Sequence, residues 1–174
     1  MFQEAIAQYL KQNHYKSIQL KSVLFDMDGV LFDSMPYHAE AWHKTMKAHG
    51  LNLSREEAYM HEGRTGAGTI NIVCQRQLGR DATQEEIESI YLEKSIEFNK
   101  HPQAERMPGA WELLQKIKAE GIIPTVVTGS GQASLLNRLE HNFPGMFRQE
   151  LMVTAFDVKY GKPNPEPYLM ALEK

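Results

Sequence analysis

The sequence has one cysteine, no long apolar run and no excess of basic charge. The lone Cys74 excludes an intrachain disulfide and a zinc site built from several cysteines. No apolar run approaches the length of about 18–20 residues that a helix needs to cross a bilayer. Residues 1–21 carry polar side chains throughout and lack the continuous apolar segment of a secretion signal. We therefore expect a cytoplasmic protein with no membrane partner.

The charge balance also argues against a nucleic-acid partner. Lys and Arg together number 19 and Asp and Glu number 22, so the formal net charge is −3 and no basic surplus is available for a phosphate backbone. Hydrophobic residues make up 42% and charged residues 24%, as in ordinary globular domains. The 174 residues suffice for one domain, or for one domain with a smaller one inserted. We expect a folded monomer.

Three short apolar runs alternate with helical patterns along the chain. Residues 22–27, 123–127 and 151–155 are each followed by turn residues, which predicts three buried strands. Helical patterns separate the second strand from its neighbours, and buried strands that alternate with helices pair in parallel. The sequence therefore predicts the α/β class.

Cap residues and spacing predict where several helices lie. Ser34 is a candidate N-cap, Thr83 and Glu86 form a candidate capping box, and Ser130 precedes a predicted helix over 132–141. Apolar residues at helical spacing predict an amphipathic helix, packed on the body, at the N-terminus: Phe2, Ile6, Tyr9 and Leu10.

Residues 36–104 show helical patterns only, and this block is far too long for an ordinary connection between strands. We interpret it as an inserted helical module. The predicted organisation is a first core segment over 1–33, the inserted module over 34–106, and a second core segment over 107–174.

Polar residues stand at the ends of the predicted strands, where ligands bind in open α/β sheets. Asp26 and Asp28 follow the first strand, Thr128 and Gly129 follow the second, and Lys162 follows the third. Each motif alone is as compatible with an ordinary turn or a surface charge as with a site. Together they contain what phosphoryl transfer needs: a nucleophilic carboxylate, a second carboxyl for proton transfer, and donors for the phosphoryl oxygens.

Three stretches resemble the first three signature motifs of the haloacid dehalogenase-like phosphatase superfamily: Phe25-Asp26-Met27-Asp28-Gly29-Val30-Leu31-Phe32-Asp33-Ser34, Val126-Val127-Thr128-Gly129-Ser130 and Gly161-Lys162-Pro163-Asn164-Pro165. The helical insertion after the first motif resembles the α-helical cap of one subclass, and the chain looks most like β-phosphoglucomutase-type and small sugar-phosphate phosphatase members. The resemblance implies a Rossmann-like parallel sheet with an inserted α-helical cap.

The resemblance also implies roles for the matched residues. Asp26 is then the nucleophile and a Mg²⁺ ligand. Asp28 is the general acid and base, and its backbone carbonyl also binds Mg²⁺. Thr128 and the Gly129 N–H hold the phosphoryl group, and Lys162 neutralises charge between Asp26 and the phosphate. The implied cofactor is Mg²⁺ and the implied partner is a small phosphorylated metabolite.

Two residues of the inserted module are further candidates. His38 lies where β-phosphoglucomutase-type proteins carry a histidine, so it either contacts substrate or senses cap closure; the alternative is an ordinary helix-face histidine. Arg64 lies in the glycine-rich loop over 62–69, which is the candidate specificity loop. It either grips a distal phosphate or carboxylate, or it is a surface arginine beside hinge glycines.

The same loop bears on the type of reaction. A mutase must hold a second phosphate, and the β-phosphoglucomutase pattern carries basic residues in this loop. When the loops are aligned on Gly63, Glu62 and Gly66 occupy those positions, which favours hydrolysis. A phosphomutase and a non-catalytic binding domain remain as alternatives.

The superfamily's fourth motif supplies an acidic metal ligand from a later strand. The sequence given ends at Lys174, ahead of where that strand would follow. We therefore expect the 174-residue chain to be a fragment that by itself binds magnesium poorly.

Overall fold

The computed structural model of the chain describes residues 2–131 and 135–174. It is an α/β structure in which two strands pair in parallel, as the sequence predicts. Strand β1 is Ser22–Phe25 and strand β2 is Ile123–Val126, and their register runs from Ser22 opposite Ile123 to Phe25 opposite Val126. The bond from the Val127 N–H to the Phe25 carbonyl, at 2.8 Å, continues the pairing beyond β2. The residues that follow β1 and β2 therefore emerge side by side.

The third predicted strand is reduced to a single parallel bridge between Val127 and Val153. The backbone of Val153 donates to the Val126 carbonyl and its own carbonyl accepts from Thr128, each at 2.9 Å. The prediction of a full strand over 151–155 is wrong because local bonds compete for the backbone. The N–H and the hydroxyl of Thr154 both donate to Asp157 Oδ2 at 2.8 Å, which folds the chain into a turn.

Eight α-helices accompany the strands in the part of the chain that is described. In chain order they are α1 Phe2–Gln12, α2 Met35–Ala48, α3 Arg55–Met60, α4 Gly66–Leu78, α5 Gln84–Asn99, α6 Ala110–Ala119, α7 Leu135–Asn142 and α8 Glu166–Glu173. The capping box at the start of α5 is confirmed, since Thr83 and Glu86 bond to each other's backbone. The predicted start of the helix over 132–141 lies outside the described residues, as does its predicted cap by Ser130.

Helices α2–α5 form the inserted module, which we call the cap. All four lie inside the predicted range 34–106, whose borders stay a prediction. An apolar cluster holds these helices together, and Cys74 lies in it with about 1% of its surface exposed. A second cluster packs α6 and α7 against the strands, and its largest members are Phe25, Phe32 and Phe143. Phe32 and Phe143 meet edge to face, with ring centroids 5.4 Å apart.

Helix α1 forms as predicted, but its predicted packing on the body is wrong. Residues 3–9 are all exposed, and Ile6 and Tyr9 each keep 50% of their surface. The ring of Tyr9 lies 6.1 Å from that of Tyr15, so its apolar face meets the following segment rather than the core. Leu113 of α6 is also half exposed.

Across the described ranges 2–131 and 135–174, no helix combines the length and the apolar character needed to cross a membrane.

The buried cap cluster and the exposed helix α1 predict different losses of stability for the same substitution, isoleucine to alanine. Ile70 is fully buried in the cap cluster, so Ile70→Ala should lower the free energy of unfolding by about 2–5 kcal/mol. Ile6→Ala removes the same atoms from a half-exposed side chain and should change that free energy by less than about 0.5 kcal/mol. Urea unfolding monitored by circular dichroism compares the two variants. Equal costs would contradict the exposed placement of α1.

Candidate active site

Asp26 and Lys162 meet at the carboxyl ends of the paired strands. Asp26 Oδ1 accepts a bond from the Met27 N–H at 2.7 Å, and its Oδ2 lies 2.8 Å from Lys162 Nζ. Lys162 Nζ also donates to the carbonyl of Val127 at 3.1 Å. The Lys162 ammonium therefore bridges Asp26, which follows β1, and Val127, which follows β2. The side chains of Asp26 and Lys162 keep 21% and 11% of their surface, so the pair is largely shielded from water.

Thr128 and Gly129 lie beside this pair because β1 and β2 run in parallel and in register. Thr128 is buried, and its hydroxyl oxygen accepts a bond from the Ser130 N–H at 3.0 Å. The hydroxyl proton is therefore free to be donated to another acceptor. The structure thus brings together four of the predicted site residues: Asp26, Thr128, Gly129 and Lys162.

Asp28 is a buried carboxylate with three polar partners. Ser34 Oγ donates to its Oδ1 at 2.6 Å, and Arg138 Nη2 lies 3.5 Å from the same oxygen. His38 Nε2 lies 3.1 Å from Asp28 Oδ1, but the angle between the two groups is not that of a hydrogen bond. Burial acts to raise the pKa of Asp28, but the contacts with His38, Ser34 and Arg138 outweigh it and lower the pKa to about 2.

These contacts correct one prediction and bear on a second. Ser34 precedes α2 as predicted, but its side chain makes no cap bond to the helix because its hydroxyl donates to Asp28. His38 is buried against Asp28 rather than exposed on the helix surface, and its contact with substrate or its response to cap closure stays a prediction.

Lys94 of α5 lies behind His38, and the sequence reading did not single it out. Its Nζ is 2.7 Å from His38 Nδ1, and the ammonium lies 5.3 Å from the Trp42 ring centroid and 5.1 Å from that of Phe98. Burial lowers the pKa of Lys94 to about 8, so it still carries a proton at pH 7. Burial and the Lys94 charge also lower the pKa of His38. A protonated Lys94 donates to Nδ1, which leaves the ring proton of neutral His38 on Nε2, facing Asp28.

A signal for Lys94 was present in the sequence. Ile90, Lys94 and Phe98 recur at intervals of four, which places all three on one helix face, and all three are buried. A lysine between two apolar residues at that spacing indicates a buried charge with a partner.

The cap closes directly onto the strand-end loops. A Cβ added to Gly129 would lie 2.5 Å from the Arg64 carbonyl oxygen and 2.6 Å from that of Gly63. A Cβ on Gly161 would lie 2.6 Å from the Thr65 backbone nitrogen. Only glycine permits such close backbone approach, so these positions fix how near the cap can come.

A closed crevice of about 40 Å³ lies between the cap and the strand ends. Asp28, His38, Glu62, Arg64 and Lys94 are among the residues that line it. Burial, followed by the charges of Asp28 and Asp26, raises the pKa of Glu62 to about 7. Arg64 lines both this crevice and an outer groove between the cap and residues 159–164, and its two predicted roles stay predictions.

The oxygen donors at the strand ends suit a hard divalent cation, although they are few in number. Carboxylate and carbonyl oxygens are the ligands that Mg²⁺ prefers, and after burial the negative charges of Asp28 and Asp26 contribute to the raised pKa of Glu62. Within residues 2–131 and 135–174, no group of three or more His, Cys, Asp or Glu side chains converges on one point. The side chains present fit a metal in charge and chemistry and provide part of a coordination shell.

The model of one protein family matches residues 20–174, and that family is described as haloacid dehalogenase-like hydrolase. The chain belongs to this family. Hexitol phosphatase A of Escherichia coli is 32% identical over 156 residues, which is 90% of this chain and 69% of that protein. Pyrophosphatase PpaX of Oceanobacillus iheyensis is 26% identical over 158 residues, covering 90% of this chain and 70% of the relative.

Among solved structures, a protein of Bacteroides vulgatus provisionally named beta-phosphoglucomutase superposes with a TM-score of 0.92 at 71% identity. The match covers 99% of this chain and 70% of that one. The chain is thus an enzyme of the haloacid dehalogenase-like hydrolase family with an α/β fold, and its relatives include phosphatases and proteins named as phosphomutases. The names of these relatives refer to different substrates.

The buried position of Lys94 predicts a pH-dependent stability. Its pKa falls from 10.5 in the unfolded chain to about 8 in the folded one, so the unfolded chain binds more protons between these values. The free energy of unfolding should therefore rise with pH from about 8 to about 10.5. We expect it to rise by up to about 3 kcal/mol relative to Lys94→Met, which lacks the titrating group.

Denaturant unfolding of both proteins at several pH values measures this difference. Lys100→Met removes an exposed lysine and serves as the control, because it should keep the rise. A free-energy difference between wild type and Lys94→Met that does not change with pH would contradict a depressed pKa for Lys94.

Proposed function

We propose that this protein hydrolyses a small phosphorylated metabolite, such as a sugar phosphate, through a phosphoenzyme on Asp26. The observation that carries the proposal is the Lys162 ammonium, 2.8 Å from Asp26 Oδ2 and bonded to the carbonyl ahead of Thr128. It lies between the nucleophile of the proposal and the loop proposed to hold the phosphoryl group. Lys162 offsets the repulsion between a carboxylate and the phosphate that it attacks.

The first half-reaction joins Asp26 to phosphorus. An Asp26 carboxylate oxygen forms a bond to phosphorus, the bond from phosphorus to the leaving oxygen breaks, and that oxygen takes up a proton. The hydroxyl of Thr128 and the N–H of Gly129 are placed to donate to the phosphoryl oxygens. Arg64 and His38, which line the crevice, are proposed to contact the rest of the substrate.

The second half-reaction needs a base, and Asp28 is suited to that role. Its pKa of about 2 keeps it ionised in the arrangement described, and it can accept a proton from the attacking water once the contacts that lower this pKa loosen and its basicity rises. That water attacks the phosphorus of the phosphoaspartate, inorganic phosphate leaves and the Asp26 carboxylate is restored. To act first as an acid, Asp28 must gain a proton, and its contact with His38 must loosen for that to happen.

Mg²⁺ is part of the proposal. The carboxylate of Asp26 and the backbone carbonyl of Asp28 would hold it, together with water and substrate oxygens. When bound, the ion neutralises charge on the phosphoryl group. Glu62 faces the same crevice and adds negative charge beside these donors.

Hydrolysis is favoured over mutase chemistry by the charge of the specificity loop. A phosphomutase must hold a second phosphate, yet Glu62 presents a carboxyl group to the crevice. An ionised Glu62 repels a bisphosphate, whereas it accepts hydrogen bonds from hydroxyl groups.

A second candidate substrate is a compact phosphoanhydride, and the closed crevice supports it. A volume of about 40 Å³ has room for about three water molecules and none for a whole sugar. A sugar phosphate needs the cap to stand further open, whereas pyrophosphate needs less space. One of the relatives to which the chain is similar is named as a pyrophosphatase.

The nucleophile assignment predicts a sharp effect of Asp26→Asn. The amide is not a nucleophile toward phosphorus, so we expect the phosphoenzyme to disappear and turnover to fall by a factor of about 10³ or more. Acid-quenched intact mass spectrometry after mixing with acetyl phosphate and Mg²⁺ measures the adduct. Asp33→Asn makes the same change at an exposed carboxylate and should keep it. A phosphoenzyme that persists in Asp26→Asn would sink the assignment.

The reaction type predicts the products. With hexitol phosphates, hexose phosphates and pyrophosphate as substrates, we expect release of inorganic phosphate. No isomerised sugar phosphate should form, even with a sugar bisphosphate primer. Phosphate assay and ³¹P NMR on one sample separate the two reactions, and the ratio of kcat/KM values ranks the sugar phosphates against pyrophosphate. Isomerisation without phosphate release would establish the mutase alternative.

A further inference from the structure

A second cavity, of about 530 Å³, lies where the cap joins the core. We call it the hinge cavity. Its polar lining comes from Asn99, His101 and Gln103 on the segment that leaves the cap and from Asn137, Arg138 and His141 on α7. It shares no lining residue with the crevice over Asp26 and Asp28. It is therefore a separate candidate site.

Two residues that line the hinge cavity each carry a buried side-chain nitrogen without a hydrogen-bond partner in the described chain. These nitrogens are His101 Nε2 and Arg138 Nε. Leaving a buried donor unsatisfied costs about 1–3 kcal/mol, and more for a charged group, so two such nitrogens on residues beside one cavity favour a ligand that satisfies them after a small side-chain movement. Neither is held by a competing protein acceptor.

The charge of the lining determines which ligand fits. Arg138 is a permanent cation, two histidines add further donors, and no Asp or Glu is found among the described residues that line the cavity. A guanidinium presents its N–H groups in a fork that matches phosphate and carboxylate oxygens. The hinge cavity thus suits an oxyanion and disfavours a cation.

The walls of the hinge cavity also support the acid–base pair. The Phe98 ring stacks on the His38 ring with centroids 4.1 Å apart, and Arg138 Nη2 lies 3.5 Å from Asp28 Oδ1. On the opposite side, the His101 ring stacks on Tyr37 of α2 at 5.1 Å. A ligand in this cavity would therefore touch residues that hold Asp28, His38 and the first cap helix in place.

We propose that the hinge cavity is a second anion site, which binds a small metabolite through a phosphate or carboxylate group held by Arg138 and His101. The guanidinium spans the distance between this anion and Asp28, so the ligand lies one side chain away from the proposed general base. The site is independent of which substrate the crevice takes.

Histidine side-chain NMR can observe both sites in one sample. The full protein is titrated with sodium sulfate and, separately, with sodium acetate, against sodium chloride at matched ionic strength. We expect the ring resonances of His101 and His141 to shift saturably. Sulfate alone would identify a phosphate-like ligand, and acetate alone would identify a carboxylate. Chloride that produces the same shifts, or shifts that do not saturate with either anion, would overturn the proposal.

Variants separate the hinge cavity from the crevice. Thr128→Val removes a donor of the crevice and should leave the sulfate affinity reported by His101 unchanged. Arg138→Leu should weaken it by about tenfold or more, while Arg148→Leu at an exposed position should not. If Arg138→Leu fails to fold, His101→Phe keeps the stack on Tyr37 and removes the ring nitrogens, with His141 as the reporter. Loss of the His101 response in Thr128→Val, or an unchanged affinity in the hinge-cavity variants, would contradict the site.

Discussion

The charge on Asp28 is the constraint on which the arrangement of the cap and the core depends. Only 6% of this residue is exposed, and a buried carboxylate is tolerated only when partners replace its hydration. The partners come from three separate places: Ser34 before α2, His38 within α2 and Arg138 in α7. His38 in turn needs Lys94 from α5. One buried charge thus ties together elements that are distant in sequence.

Glycine sets how tightly the cap meets the strand ends. At Gly129 and Gly161 the backbone of the cap loop comes so near that a methyl group would collide with it. The hydroxyl of Tyr91 accepts a bond from the Gly131 N–H at 3.3 Å, which adds a contact from α5 to the same loop. Apart from Tyr91, these close contacts are made by backbone atoms rather than by a large apolar interface. This suits a lid that must open and close at each turnover.

The sequence predicted those parts of the fold that depend on local pattern. The parallel pairing of β1 and β2 follows from two short apolar runs separated by helices, and the capping box of α5 follows from the spacing of Thr83 and Glu86. The third strand could not be predicted reliably, because the backbone N–H of Thr154 can bond either to a neighbouring strand or to the side chain of Asp157, and here it bonds to Asp157. The prediction that α1 packs on the body was wrong for a related reason. An amphipathic pattern indicates which face of a helix is apolar, but it does not indicate whether another surface is available to cover that face.

The candidate site was predictable at the strand ends and less so in the cap. Four of the predicted site residues follow the strands closely along the chain, and the parallel register of the sheet brings the strand ends together. These residues are Asp26, Asp28, Thr128 and Lys162. Arg138 was not singled out, because its contact with Asp28 arises from the packing of α7, which spacing along the chain does not encode.

In the proposed reaction, the charges of the site would link substrate binding to a cation. Lys162 contacts Asp26, and Arg138 and the His38–Lys94 pair contact Asp28, so both carboxylates already have partners within the protein. Burial, followed by the charges of Asp28 and Asp26, raises the pKa of Glu62 to about 7, so the crevice already resists further negative charge. A phosphate that carries nearly two negative charges would add to this repulsion. A divalent cation that binds with the phosphate would offset it and favour ionisation of Glu62. The carboxyl group that is proposed to resist a second phosphate would therefore also increase the need for a metal beside the first.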